Sequence, residues 1–224
     1  MTYTAKGATV VAMQTAIWMV LSPEPGVPTI EIAEGMITAL RRSGEPAVGL
    51  KPIDIDCPHA DDHDLVSPDG ERLWQASGRG LPPLVVAPYR FAIGGDPVAA
   101  AKASGLNLEL SDVLTTVEEA QRFGRPVVIV GPPRADGPFV TDGSIWNLGQ
   151  KTGAWVVLVV DEAHRATLPE LQQLATQAGL HAVSVARTTD PISGAIHVPP
   201  SLDAPEAIAD CLAPAIMPKI TNGV

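Results

Sequence analysis

The segment from Cys57 to Asp64 concentrates the residue types that bind transition metals. It reads Cys-Pro-His-Ala-Asp-Asp-His-Asp, so that one thiol, two imidazoles and three carboxylates fall within eight residues. A closed zinc site needs four such ligands in a tetrahedral arrangement, and this spacing matches none of the common sites. A solvated acidic loop has the same composition. We therefore expect no resident metal, and a metal site in this loop remains the alternative.

The segment Val160 to His164, with the sequence Val-Asp-Glu-Ala-His, is a second candidate for metal and phosphate chemistry. It is similar to the box that holds magnesium in helicases of the DEAH type. Such a motor also needs an upstream phosphate loop and a basic surface for nucleic acid. The chain contains no Gly-Lys dipeptide and has a formal net charge of -10. We interpret Asp161–Arg165 as a polar loop that leads into a helix.

Lys51 is the best single candidate for a catalytic or ligand-binding charge. It follows an apolar run and precedes Pro52, which keeps the backbone of Lys51 extended. The carboxyl ends of the strands form the ligand-binding edge of an open α/β sheet. Lys51 is predicted to project there and to bind an anionic group such as a carboxylate. A surface lysine paired with Asp54 or Asp56 is the alternative.

The elements that must position these residues follow a β-α pattern. Short apolar runs predict buried parallel strands; they are Ala16–Leu21, Ala47–Leu50, Leu84–Val86, Val127–Val130, Val156–Val160 and Ala182–Ala186. Amphipathic stretches predict helices between them; they are Glu31–Arg42, Ser111–Phe123 and Leu168–Ala178. The pattern predicts a doubly wound, mainly parallel α/β sheet with helices on both faces. No repeat or linker divides the chain, so residues 1–224 are predicted to form a single domain.

Composition restricts the classes of function. The chain has 25 acidic and 15 basic residues and no basic run, a balance that repels a phosphate backbone and argues against nucleic acid as a partner. The apolar stretch Val10 to Leu21 is too short to span a bilayer. The two cysteines, Cys57 and Cys211, form no short disulfide framework, which fits a reducing cytoplasm. We expect a cytoplasmic protein without a membrane partner.

Several segments follow one another along the chain in a recognisable order, namely Pro25–Thr29 with Ala47–Ile53 after the next helix, Pro88–Ala92, Pro97–Ala101, and Val156–Val160 with the helix that follows it. In their order and spacing they resemble the dethiobiotin synthetase family, which has the P-loop NTPase fold. They cover roughly Ala16 to Pro200. The resemblance implies the fold already predicted, a homodimer, and a site in which Gly26, Thr29 and Lys51 are candidates for ligand binding.

The chain departs from this family in its phosphate-binding loop. In the GxxxxGK-Ser/Thr pattern, glycine N–H groups surround phosphate, the lysine neutralises its oxygens, and the hydroxyl holds magnesium. Thr29 stands at the position of the lysine and Ile30 at that of the hydroxyl. Pro23, Pro25 and Pro28 also remove backbone donors.

A second departure follows the middle strand. The family has Val-Glu-Gly-Ala-Gly-Gly there, with a glutamate that helps to hold magnesium, whereas this chain reads Val-Gly-Pro-Pro-Arg-Ala from Val130 to Ala135. Gly131 replaces the acid. Asp54, Asp62 or Asp64 could stand in for the family's loop aspartate.

The resemblance implies an enzyme that carboxylates a vicinal diamine, phosphorylates the carbamate with ATP and closes a cyclic urea. Phosphoryl transfer depends on positioning and charge neutralisation, and the residues expected to supply both are absent here. The leading hypothesis is a pseudoenzyme that binds a small molecule or a protein partner without a cofactor. The alternatives are an active ATP- and magnesium-dependent carbon–nitrogen ligase with an atypical loop, and a nucleotide-independent enzyme that uses Lys51.

Overall fold

The structure, a computed structural model, describes residues 17–60, 64–124 and 126–221. The strands are β1 (Ile17–Leu21), β2 (Val48–Leu50), β3 (Ile53–Asp54), β4 (Tyr89–Arg90), β5 (Val127–Val130), β6 (Trp155–Asp161), β7 (Ala182–Arg187) and β8 (Ile196–His197). The helices are α1 (Thr29–Arg42), α2 (Pro68–Ala76), α3 (Pro83–Val86), α4 (Pro97–Ala103), α5 (Leu110–Phe123), α6 (Ile145–Thr152), α7 (Leu168–Gln177) and α8 (Pro205–Thr221). Five of the six predicted strands and all three predicted helices are confirmed with small shifts of their ends; Ala16 lies outside the described residues.

The main sheet has six parallel strands in the order β2-β5-β1-β6-β7-β8. A smaller parallel pair, β3 with β4, lies beside it. The chain steps one way from β1 to β2 and the opposite way from β5 to β6 and on to β7. Because such crossovers are right-handed, α1 covers one face, whereas α6 and α7 cover the other. The predicted doubly wound α/β fold is confirmed.

The core lies between the central strands and these helices. Every residue of β1, β2 and β5 is buried, as expected for strands covered on both faces. Helix α1 buries the apolar stripe predicted from its periodicity and packs against α8, which the sequence patterns did not indicate. None of the helices in the described part of the chain is long and apolar enough to cross a membrane.

The predicted strand Leu84–Val86 is wrong. Pro83–Val86 form the short helix α3, which places Val85 and Val86 in the core and leaves Leu84 63% exposed. The consecutive prolines explain the difference, because Pro82 is extended with φ -62° and ψ 140° and Pro83 opens a helical turn. The strand that pairs in this region is β4, three residues beyond α3.

Candidate functional site

A cleft of about 400 Å³ lies at the carboxyl ends of three adjacent strands. The loop after β1 and the first turn of α1 form one wall, and the residues after β2 and after β5 form the others. This is the edge at which open α/β sheets bind ligands. The structure brings the three candidate residues Gly26, Thr29 and Lys51 to this one cleft. That they bind a ligand stays a prediction.

The loop from Ser22 to Pro28 ends in a turn that is closed by a hydrogen bond from the backbone N–H of the next residue, Thr29. Pro28 has φ -75° and ψ 60°, and the N–H of Thr29 donates to the carbonyl of Val27 at 2.7 Å, which is the geometry of an inverse γ-turn. Gly26 supplies the positive φ of 85° earlier in the loop. Thr29 is the first residue of α1, so one of the donors that a helix start offers to a ligand is directed back into the loop.

Lys51 lies inside the cleft wall between two carboxylates. Its Nζ atom is 2.8 Å from Asp69 Oδ2 and 3.6 Å from Asp54 Oδ1. Its side chain is only 10% exposed, because the backbone of Lys51 is held against α3 by a hydrogen bond to the Val86 carbonyl. The position at the carboxyl end of β2 agrees with the prediction. The pairing with Asp54 agrees with the alternative, but Lys51 is buried rather than at the surface.

Asp54 is the buried centre of this part of the site. It accepts a hydrogen bond from the Ser67 hydroxyl, which also caps α2 by accepting from the N–H of Gly70. The nearby Cys57 is also buried. Its burial, and next the negative charge of Asp54, raise the pKa of the Cys57 thiol to about 12. Burial and the Asp54 carboxylate thus favour the neutral thiol form of Cys57.

Arg72 is the second cation that lines the cleft, and it is bound to helix α1. Its Nε and Nη2 atoms form a two-point contact with the Glu34 carboxylate, with Nε 3.0 Å from Oε1, and its Nη1 atom lies 3.1 Å from Glu31 Oε1. The hydrogen bonds to Glu34 raise the pKa of Arg72. Because the fork of its donors is occupied by carboxylates, Arg72 is held along α1.

Arg134 borders the cleft from the segment after β5. Its Nη1 atom is 3.1 Å from Glu24 Oε1, and its Nε atom is 3.2 Å from Asp136 Oδ1. The hydrogen bond from Arg134 lowers the pKa of the Asp136 carboxyl. Glu24 belongs to the loop after β1, so the pair ties the two sides of the cleft together across its mouth.

The three cations share one arrangement: each contacts two carboxylates. Lys51, Arg72 and Arg134 together face six acids, namely Asp54, Asp69, Glu31, Glu34, Glu24 and Asp136. A further acid, Asp56, lines the cleft with a positive φ of 57°. The cleft therefore has an excess of negative charge, and its cations are already neutralised.

Gly131 occupies the position at which the resemblance places a magnesium-binding glutamate. It lines the cleft, and its N–H donates to the Val20 carbonyl at 3.0 Å. A Cβ atom at this position would overlap Cδ2 of Leu21, which is fully buried. A side chain at Gly131 would therefore require the buried Leu21 side chain to move.

The other two motifs contribute no described residue to the lining of the cleft. Asp61, Asp62 and His63 fall outside the described residues, and among the described ones no group of three His, Cys, Asp or Glu could hold a metal ion. Asp161 ends β6 and accepts from the backbone N–H of His164 at 3.0 Å. These residues form the turn before α7, which agrees with the interpretation of Asp161–Arg165 as a polar loop.

Sequence reasoning missed Asp69 and Arg72 because it missed the helix that carries them. A signal for α2 was present: Ser67 is an N-cap residue and Pro68 opens the first turn, a common start of a helix. Arg134 had no such signal, because its partner Glu24 lies 110 residues earlier in the chain.

No protein-family profile matches the chain. Two solved structures are similar at low identity. The signal recognition particle receptor FtsY from Elizabethkingia anophelis has a TM-score of 0.42 and 15% identity, and the match covers 90% of this chain and 55% of that one. The 54 kDa signal recognition particle protein from Aeropyrum pernix in complex with GDP has a TM-score of 0.40 and 14% identity, and the match covers 89% of this chain and 39% of that one.

Curated sequences give a more specific match. An ATP-dependent dethiobiotin synthetase from Anaeromyxobacter dehalogenans is 35% identical over 114 residues, which are 50% of this chain and 48% of the relative. One from Methylobacterium nodulans is 34% identical over 92 residues, 40% of this chain and 41% of the relative. The chain thus spans about half the length of the curated relatives it matches. Over that half it is similar to dethiobiotin synthetases, and the resemblance predicted from the sequence is confirmed.

Proposed function

We propose that this chain is a dethiobiotin-synthetase-like pseudoenzyme that binds a small molecule or a protein partner and does not use ATP. The observation that supports this most strongly is the charge arrangement of the cleft, in which each of the lining cations Lys51 and Arg72 contacts two carboxylates. A triphosphate would have to displace those acids and then lie beside them. Both steps oppose binding, because like charges at short range repel strongly in a partly buried site.

The loop supports the same proposal from its backbone. Three prolines remove donors from the cradle, and the Thr29 N–H already donates to Val27. Phosphoryl transfer gains almost all its acceleration from phosphate positioning and charge neutralisation. A loop without its lysine and hydroxyl supplies neither. We extend the proposal to a cytoplasmic homodimer, as the resemblance implies.

Isothermal titration with ATP and with ADP, each with magnesium, tests the proposal. We expect a dissociation constant no tighter than about 1 mM. The Anaeromyxobacter dehalogenans relative, titrated under the same conditions, serves as the positive control. A micromolar constant for this chain would refute the pseudoenzyme and favour the active ligase.

An active synthetase with an atypical loop is the second candidate, favoured by the 35% identity to an ATP-dependent enzyme. It predicts ATP-dependent formation of a cyclic urea from a vicinal diamine and bicarbonate. A nucleotide-independent enzyme that uses Lys51 is the third, favoured by the burial of that lysine in the cleft. It predicts turnover that is lost in Lys51→Met and is insensitive to ATP. The proposed pseudoenzyme gives no turnover in either assay.

A further inference from the structure

A second cavity lies far along the sheet from the cleft, where its last two strands separate. Strand β8 pairs with β7 only at Val185 and Ala186. Before that point the residues Gly194 and Ala195 diverge from β7 and leave a groove of about 670 Å³. The beginning of β7 forms one wall, and Thr176 of α7 and Ala215 of α8 lie on its two sides. We call this feature the β7 groove.

The backbone of β7 presents hydrogen-bonding groups to this groove. The carbonyl of His181 accepts from Val156 of β6, whereas the carbonyl of Ala186 accepts from Val198 on the other side. Because backbone groups alternate in direction along a strand, the N–H and C=O of Ala182 and the N–H of Ser184 point away from β6. They face the groove, in which the described chain places no strand beside them.

The lining of the β7 groove carries no charge. Its polar side chains are the neutral Gln172, Thr176 and Ser184, and its other residues are small or aliphatic. The chain has a net charge of -10, but none of that charge comes from the side chains that line the groove. A charged occupant would lose hydration there without gaining a partner.

We propose that the β7 groove binds an extended, uncharged peptide segment of a partner protein, which adds as a strand to the free edge of β7. The backbone groups of Ala182 and Ser184 supply the hydrogen bonds, and the helix walls select short neutral side chains. This is the β-augmentation mode of recognition, in which the main chain provides affinity and flanking pockets provide specificity. The inference is independent of the function proposed for the cleft.

Fluorescence anisotropy with a labelled, capped Thr-Val-Thr-Val-Thr peptide tests the proposal. We expect the full chain to bind it with a dissociation constant below about 1 mM. The same peptide N-methylated at alternate residues keeps its side chains but loses one edge of donors, and we expect its binding to be at least about tenfold weaker. A peptide with glutamate in place of threonine should also bind at least about tenfold more weakly.

Two variants locate the peptide. Ala182→Pro removes a donor that faces the groove at the first residue of β7, where proline is tolerated, and it should weaken binding about tenfold. Thr176→Lys places a long, charged side chain over the groove. It should also weaken peptide binding about tenfold, by blocking the groove rather than by removing a backbone donor. Gln173→Lys, an exposed position on α7 that does not line the groove, is the matched control and should bind like the parent.

Three results would overturn the proposal. The first is absence of binding by the parent at millimolar peptide, and the second is equal binding of the N-methylated peptide. The third is concentration-dependent dimerisation of the parent that Ala182→Pro abolishes, because the edge would then pair with a second copy of the chain.

Discussion

At the residue scale, the cations of the site differ in how deeply their ion pairs with carboxylates are buried. Lys51 differs from Arg72 and Arg134 because its side chain is 10% exposed, against 41% and 49% for the arginines. Exposed pairs contribute little to stability because water screens them. A buried lysine between two carboxylates is stabilised by those acids, and the acids depend on it in turn.

Lys51→Met tests this dependence. Removing the ammonium group leaves the buried Asp54 without its cation, so we expect the free energy of unfolding to fall by about 2 to 3 kcal/mol in urea denaturation. Lys102→Met, an exposed lysine on α4, should change it by no more than about 0.5 kcal/mol. The double variant Lys51→Met with Asp54→Asn should recover part of the loss. A loss as small as that of Lys102→Met would mean that Lys51 is not coupled to its acids.

Cys57 gives a second prediction at this scale, through pH. Its thiol pKa is raised in the folded state from 9.0 to about 12, by burial first and by Asp54 second. Above pH 9 the unfolded chain releases the proton while the folded chain retains it, so the unfolded state binds fewer protons and the free energy of unfolding decreases up to about pH 12. Thermal melts between pH 8 and pH 10.5 should show this fall, and Cys57→Ala should reduce it. An identical slope in the variant would contradict the assignment.

At the element scale, the loop after β1 and the start of α1 form one unit. The turn at Pro28 fixes the direction in which α1 begins, and Ile30 is buried in the core at the position where the resemblance places a hydroxyl. The turn at Pro28 and the burial of Ile30 therefore determine the geometry of this unit together. Side-chain replacement alone does not restore the donors that the turn consumes.

The variant Thr29→Lys with Ile30→Thr tests this interpretation. It supplies the lysine and the hydroxyl but keeps Pro28 and the backbone hydrogen bond from the N–H of position 29 to the carbonyl of Val27. We therefore expect the dissociation constant for ATP, measured by titration, to stay above about 1 mM. Adding Pro28→Gly to this double variant removes the constraint on the turn. This third change should increase the affinity for ATP more than the first two changes together. Micromolar affinity in the double variant would show that the missing side chains, and not the backbone, exclude nucleotide.

The elements also show how far sequence reasoning reaches. The central strands and α1, α5 and α7 were predictable because long apolar runs and helical periodicity reflect burial directly. The segment Leu84–Val86 was mistaken for a strand, because four apolar residues after two prolines satisfy either pattern and only tertiary contacts decide. The family resemblance placed Gly26, Thr29 and Lys51 in one site, and the position of Lys51 after a buried strand placed it at the carboxyl edge of the sheet. The pairs of Arg72 and Arg134 depend instead on contacts between distant segments.

At the scale of the whole molecule, α8, the last helix of the described chain, packs against α1, its first helix. Ile208 and Leu212 are fully buried, and α8 lies along α1. Arg42 of α1 also contacts Asp210 at 3.1 Å. No periodic pattern indicated α8, because its apolar residues are spread around the helix rather than gathered in one stripe. This contact supports the prediction that the chain unfolds as a single domain.

Gly35→Ala measures how closely α8 is fitted to α1. In an exposed helix interior, this change would stabilise by about 0.5 to 1 kcal/mol. Here a Cβ atom would overlap Cγ2 of Ile208, so we expect a loss of about 1 to 3 kcal/mol in the free energy of unfolding. Ile208→Ala removes Cγ2, the atom with the closest overlap, and leaves only the Cβ contact at 2.9 Å. In that background Gly35→Ala should cost less, which makes the two changes non-additive. Additive losses, or two separate unfolding transitions in the parent by calorimetry, would mean that α8 does not fold with the rest of the molecule.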